Sequence, residues 1–407
     1  VTVSASDAGR GMFRALATYN YRIWAGGALV SNVGTWMQRI AQDWLVLTQL
    51  THNNATAVGV VTALQFAPQL LLLPLTGVAA DHLDRRKLLI ATQGAMGALA
   101  LGLGALTVLG VVQLWQVYVF ALLLGVATAF DAPARHTFVA ELVGEADLSN
   151  AVALNSTSFN AARMIGPFVA GAVIARVGSG WAFIANGASF AAVIGSLLCL
   201  RERELHPRTR AGRDANLADG FGYIWSHPEI RSGLVMLMIV GTFGINFPLF
   251  ISTMSVSVFH VGAPEFGFLT SVMAIGSIIG ALLAAARARP QLSLLVIGAA
   301  TLGAGLVVAA VMPNYQLFGL VLIVIGVAAQ TFTTTALALV QLTTESQMRG
   351  RVMAIALAIT LGGVAVGGPI LGRVADRFGP RAALVVAAAS GFVAAAIGLR
   401  ALLRARP

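Results

Sequence analysis

Apolar residues run along this chain in long stretches, each closed by a cluster of Gly, Pro or charged residues. Twelve stretches separate: 22–49, 56–80, 88–109, 114–135, 152–176, 180–200, 229–258, 265–287, 291–312, 315–338, 351–375 and 380–403. A hydrocarbon core about 30 Å thick takes roughly 20 helical residues to cross. Each stretch therefore predicts one membrane-spanning helix. Ten-residue segments of alternating polarity, the mark of a transmembrane barrel, do not occur.

Polar residues inside the stretches fall at helical spacing. In the first, Asn32, Trp36, Arg39 and Asp43 are four, three and four residues apart. At about 100° per residue they share one stripe, with Gln42 beside it. In the fifth, Ser156, Asn160, Arg163 and Pro167 repeat that spacing. A charge within the bilayer is costly unless it faces the bundle interior or a water-filled cavity, so both stripes are expected to line a cavity between two halves. Asp43 reads as a proton-coupling carboxylate that alternates between a protonated state and pairing with Arg39. The other reading is a fixed ion pair that secures the helix. Arg163 attracts an anionic substrate or holds Asp43 or Asp131. Gln65 and Gln69 lie at the depth of Arg39, within reach of hydrogen-bonding to it. Asp131 has Arg135 one turn on. The second half has no carboxylate inside a stretch, and offers Asn246 and Gln330 as ligand contacts. An apolar substrate wall is expected there from Phe243, Phe247, Phe250, Met254, Met273 and Met348.

Composition supports the membrane reading. The 407 residues are 57% hydrophobic and 10% charged, against about a quarter charged in soluble domains. The net charge of +10 would suit nucleic acid, but the cations sit at the ends of the stretches. With the N-terminus inside, twenty of the 26 Lys and Arg residues fall on the cytoplasmic side, four outside, and Arg39 and Arg163 within spans. That bias obeys the positive-inside rule and predicts both termini in the cytoplasm. The N-terminal stretch, with Arg10 and Arg14, lacks the pattern of a secretory leader. Cys199 is the one cysteine, so no internal disulfide or thiolate metal cluster is expected.

The longest polar interval divides the stretches six and six: 1–200 as one bundle, 201–228 as a cytoplasmic linker, 229–407 as a second bundle. An internal repeat agrees. Glu145 to Val152 answers Glu345 to Val352, Gly166-Pro167 answers Gly368-Pro369, and Gly59-Val-Val-Thr62 answers Gly267-Phe-Leu-Thr270. Duplicated halves with the site between them are a common transporter plan.

After the second stretch the chain reads Gly77-Val-Ala-Ala-Asp81-His-Leu-Asp84-Arg85-Arg86-Lys87. This resembles the signature of the major facilitator superfamily: Gly, three residues, Asp, then a basic cluster. His82 stands where that signature has Arg or Lys, and Asp84 where it has Gly. Phe130-Asp-Ala-Pro-Ala-Arg135 and Arg163-Met-Ile-Gly-Pro167 are similar to segments of its drug:proton antiporter and enterobactin-exporter branch. Ala121 replaces the fourth-helix Arg of many drug antiporters. The resemblance implies an all-α fold of twelve transmembrane helices in two pseudo-symmetric six-helix bundles. It also implies an inner gate of Gly77, Asp81, Arg85 and Arg86, joined by Asp131 and Arg135.

No Walker loop, metal-ligand spacing or nucleophile–His arrangement occurs, so no cofactor and no enzymatic activity are expected, and an ion gradient is left to drive transport. The expected function is proton-coupled export of amphipathic small molecules, drug-like or secondary metabolites, by a monomer in a bacterial inner (plasma) membrane. A dedicated siderophore or metabolite exporter, or a lysophospholipid flippase, is the alternative. The expected substrate contacts are Asn32, Trp36, Gln65, Asn160, Arg163, Asn246 and Gln330. The partners are then substrate, protons and membrane lipid, with no nucleic acid.

Overall fold

The computed structural model describes residues 11, 13–206, 217–286 and 291–404, with the side chains at 74, 77, 78, 80, 81, 217 and 218 outside that description. Among the described residues the chain is helical apart from short turns. The first six spanning helices are α1 (Tyr19–Leu45, prolonged by wide turns over Val46–Leu50), α2 (Ala55–Leu71 and Leu73–His82), α3 (Arg85–Val108), α4 (114–143), α5 (145–177) and α6 (Ser179–Leu198). After a short helix over Leu217–Ser226 come α7 (Pro228–Val258), α8 (Ala263–Ala285), α9 (Leu292–Val311), α10 (Tyr315–Thr343), α11 (Arg349–Phe378) and α12 (Pro380–Arg404). All twelve expected stretches are present.

α4 and α5 form one rod, Leu114–Val177, broken only at Gly144. That residue adopts φ +71°, where a side chain is strained, and the His206 ring occupies the space a Cβ would need. Among the described residues nine helices, this rod counted once, are long and apolar enough to cross a bilayer. The remaining two carry specific interruptions: α1 has the polar stripe, and α2 is offset at Leu72 after Pro68.

Because the helix count is even, both termini lie at one end of the molecule, here the terminal end; the opposite end is the distal end. Outward-facing Leu101, Val119, Ile275, Val308 and Leu320 are exposed, the pattern of a surface solvated by lipid. The halves meet near the distal end through small residues, as helices packed in lipid do. A Cβ on Gly59 of α2 would lie 2.3 Å from the carbonyl oxygen of Gly368 of α11. On α8, a Cβ on Gly267 would lie 2.3 Å from the carbonyl oxygen of Pro167 of α5. The repeated Gly-x-x-Thr and Gly-Pro segments are therefore the two surfaces of each crossing. Trp44 of α1 stacks on Phe266 of α8, ring centres 6.2 Å apart.

At the terminal end, the ion pairs between described residues stay within a half or tie it to the connecting segment. Arg14 pairs with Asp147, Arg85 with Glu141 at 2.7 Å, Arg86 with Glu202, and Arg351 with Asp219 at 3.7 Å.

Candidate functional site

A cavity of about 350 Å³ opens within the first six helices, lined by residues of all of them. α1 contributes Asn32, Thr35, Gln38 and Arg39, and α2 contributes Gln65 and Gln69. Asp131, Arg135 and His136 of α4 and Asn155, Ser156, Phe159 and Asn160 of α5 complete much of the wall. Each sequence stripe thus reaches the cavity in part: Asn32 and Arg39 of the first and Ser156 and Asn160 of the second line it, whereas Trp36, Arg163 and Pro167 do not.

Its charged floor is a closed network. Asp131, 4% exposed, accepts hydrogen bonds from Thr92 Oγ1 at 2.9 Å and Gln93 Nε2 at 2.6 Å. It pairs with Arg135 at 3.0 Å, and Arg135 Nη1 donates to Asn32 Oδ1 at 2.9 Å. A buried carboxylate with this many donors is held in place. Arg85 instead engages Glu141, so the described contacts of Asp131 and Arg85 go to different partners. Gly77 and the Asp81 side chain lie outside the described residues. Arg86 donates to the Leu197 carbonyl at the end of α6 and pairs with Glu202.

Arg39 does not pair with Asp43. Its guanidinium lies over the Trp36 ring, 4.8 Å from the ring centre, and 5.6 Å from that of Phe66. The Arg163 guanidinium lies 5.6 Å from the same Trp36 ring. Among the described residues neither arginine has a carboxylate within 4.0 Å. Trp36 in turn meets Phe159 edge-on at 5.7 Å. Asp43, 6% exposed and outside the cavity lining, has no hydrogen-bond or ion-pair partner among the described residues.

Gln65 Nε2 donates to Gln42 Oε1 at 3.1 Å rather than bonding Arg39, and Gln69 Nε2 donates to the Gln65 carbonyl at 3.0 Å. Asn160 Nδ2 donates to the Ser156 carbonyl at 2.9 Å. The second-half candidates are not brought to this cavity. Asn246 sits at the break in α7, donates to the Thr242 carbonyl at 2.7 Å, and keeps a buried, unpartnered Oδ1. Gln330 Nε2 reaches Thr334 Oγ1 at 3.1 Å. The expected apolar wall is largely core: Phe247, Phe250, Met254 and Met273 are buried. These side chains of α7 and α8 lie in the bundle interior, outside the lining of the first-half cavity.

Sequence reasoning overlooked several residues. Thr92 and Gln93 anchor Asp131, and Asn186 Nδ2 donates to Gln38 Oε1 at 2.5 Å. Their signal was available, since each is a polar side chain isolated in an apolar run. Asp376 at the distal end of α11 was also overlooked. Its carboxylate accepts from the backbone N–H of Ala55 at 2.6 Å, of Thr56 at 2.9 Å, and from Thr56 Oγ1 at 2.5 Å. It thus caps the start of α2 across the boundary between the halves. Gly372-Arg-Val-Ala-Asp376-Arg-Phe-Gly379 carries the spacing of Gly77 to Asp81, with the Arg and Gly that His82 and Asp84 replace in the first copy.

The family model described as "Transmembrane secretion effector" matches residues 12–406. The chain belongs to that family. It is a major facilitator superfamily transporter, a multi-pass membrane protein and not an enzyme. It is similar to the staphyloferrin A transporter of Staphylococcus aureus, 27% identical over 360 residues that cover 85% of this chain and 87% of the relative. It is also similar to the enterobactin exporter EntS of Shigella flexneri, 26% identical over 364 residues covering 88% and 85%. Among solved structures, a bacterial homolog of the human lysosomal transporter Spinster, inward-facing and occupied, superposes with a TM-score of 0.75 at 15% identity, covering 95% of this chain and 97% of that one. A D-xylose–proton symporter gives 0.73 at 14% identity, covering 94% and 97%. These two show the fold this family shares.

Proposed function

We propose that this transporter exports an oxygen-rich anionic chelator of the siderophore kind, by alternating access driven by proton antiport. The observation that carries the substrate class is the pair of guanidiniums, Arg39 and Arg163, set over one indole with no carboxylate within 4.0 Å among the described residues. Two cations gathered away from bulk water are unfavourable unless an anion joins them. A carboxylate or catecholate oxygen in the cavity meets Arg39 in a charge-assisted hydrogen bond beside the Phe159 ring. Trp36, packed against both, and Arg163, over the same indole, lie outside the cavity lining and add a second cation next to the site. The cavity lies in the usual size range for small ligands. The similarity to a staphyloferrin A transporter and an enterobactin exporter supports the same class. A cationic drug would meet net repulsion from these two side chains.

Asp43 is the carboxylate we assign to proton coupling. It makes no direct ion pair, and only the charge of Arg39, one turn away, offsets its desolvation. Arg39 is the cation able to close on it when the site empties. The orientation that follows from the arginine distribution puts both termini and the 201–228 linker in the cytoplasm and the Asp376 contact outside. In that frame the present arrangement is closed outward.

Purified protein in liposomes with an imposed pH gradient should concentrate an iron-free siderophore in preference to cationic drugs. Arg39→Gln and Arg163→Gln should each weaken its binding about tenfold to a hundredfold, the value of a charge-assisted contact. Asp43→Asn should abolish uphill transport yet permit downhill exchange. Equal accumulation of cationic drugs, or siderophore transport indifferent to both arginines, would overturn the substrate class. Uphill transport by Asp43→Asn would place the proton site elsewhere.

A further inference from the structure

We infer that the terminal end of the second bundle carries a binding site for the headgroup of an anionic phospholipid. A groove of about 770 Å³ lies there between the ends of α7, α9, α10 and α12. Arg231, Arg400 and Arg404 line it, against a single carboxylate, Glu229. None of these three arginines has a carboxylate within 4.0 Å among the described residues. The groove therefore holds net positive charge that the described residues leave unanswered. This separates it from the charged groove around Arg85 and Arg86 in the first half, where Glu141 and Glu202 already supply the anions.

The depth of the groove fits the membrane surface. α12 begins at Pro380, and about 20 residues at 1.5 Å each bring it to Arg400, one hydrocarbon thickness along. Arg400 and Arg404, one turn apart, stand where headgroup phosphates lie. Ile397, which lines the groove, and Val393, 50% exposed and seven residues before Arg400 on the same stripe, lie toward the membrane interior and offer a track for an acyl chain. The helix over Leu217–Ser226 flanks the groove and presents Phe221 and Trp225 outward, 60% and 74% exposed. Aromatic side chains placed this way are characteristic of the lipid–water boundary.

The flank is fixed rather than adventitious. Arg231 lies over the Trp225 ring at 5.4 Å and donates to the Trp225 carbonyl at 3.2 Å. Tyr223 stacks on His227 with ring centres 4.0 Å apart. Cations above, exposed aliphatic side chains below and an aromatic flank match an amphiphile with an anionic phosphodiester. An inorganic anion would use only the first of these, and a zwitterionic lipid would bring its own cation into the cluster.

Native mass spectrometry of the full chain, released from micelles containing equal phosphatidylglycerol and phosphatidylcholine, tests this. Phosphatidylglycerol should be retained preferentially. The double variant Arg400→Gln/Arg404→Gln should lose it by roughly tenfold, as expected for removing two interfacial cations. Arg400→Lys/Arg404→Lys, which keeps the charge and reports that the fold survives substitution here, should retain it. Equal retention of phosphatidylcholine, an unchanged adduct in the Gln variant, loss in the Lys variant as well, or full displacement by millimolar inorganic phosphate would each overturn the inference.

Discussion

The two crossings that hold the halves together have the same steric design and different polar chemistry. At α2–α11 a Cβ on Gly59 would lie 2.3 Å from a carbonyl oxygen, and one on Gly372 would lie 2.6 Å from the Ala55 carbonyl. At α5–α8 the matching values are 2.3 Å for Gly267 and 2.6 Å for Gly171 against the Ala263 carbonyl. Beyond the Gly-Pro step the crossings part. Eight residues past Gly368 stands Asp376, which binds two backbone N–H groups and a hydroxyl of α2. Eight past Gly166 stands Ile174, buried in the apolar core. α8 opens with Ala263 and Pro264, the second of which has no N–H to offer, whereas α2 opens with Ala55 and Thr56, both of whose N–H groups need acceptors. Close backbone packing sets how near the halves come at both places. Only at α2–α11 does a charge-assisted bond join it, and water can replace that bond when the halves separate. On this account α2–α11 is the latch and α5–α8 the hinge.

The largest expected effect comes from filling either crossing. Gly59→Ala and Gly267→Ala each drive a methyl into a carbonyl, and overpacking of this kind costs about 1–3 kcal/mol. Transport in liposomes should fall at least tenfold in both. A loss confined to one would break the steric equivalence. Asp376→Asn should act next, lowering turnover about fivefold while sparing substrate affinity, since an exposed carboxylate at a helix start contributes about 1 kcal/mol. Glu265→Gln, the acid in the first turn of α8, should leave turnover unchanged; equal sensitivity at both acids would erase the latch–hinge distinction. Thr56→Val keeps both backbone contacts and loses one hydroxyl, so about a threefold drop in turnover is expected.

Much of this fold is written in the spacing of apolar runs, and both crossings are visible as the Gly-x-x-Thr and Gly-Pro repeats. The site is less legible, and the two i,i+4 ion pairs show why. Asp131–Arg135 forms, whereas Arg39–Asp43 does not. Helical side chains lean toward the N-terminus, so a residue reaches back one turn more easily than forward. In Asp131–Arg135 the basic residue comes second and reaches back to its acid. In Arg39–Asp43 it comes first, leans back onto Trp36, and leaves Asp43 without a direct ion pair. Residue types and spacing predict a pair in both cases; only the order along the helix separates them. Asn246 and Gln330 lie away from the first-half cavity for another reason. An amide in an apolar helix can place its N–H on its own helix, here on Thr242 and Thr334, as readily as it faces a ligand, and Asn246 still keeps an unpartnered Oδ1. The Asp376 contact joins residues 320 or more apart, and no local pattern shows which helix start will face that carboxylate.

The latch is tested most directly by the distance between the halves at the distal end. With the exposed Cys199 replaced, spin labels at Val111 and Pro313, in distal turns of opposite halves, report that distance by pulsed electron resonance. The account expects a predominantly short distance in the parent protein. In Asp376→Asn a longer-distance population should grow about fivefold, with none added by Glu265→Gln. Identical distance distributions in the parent and Asp376→Asn would contradict it.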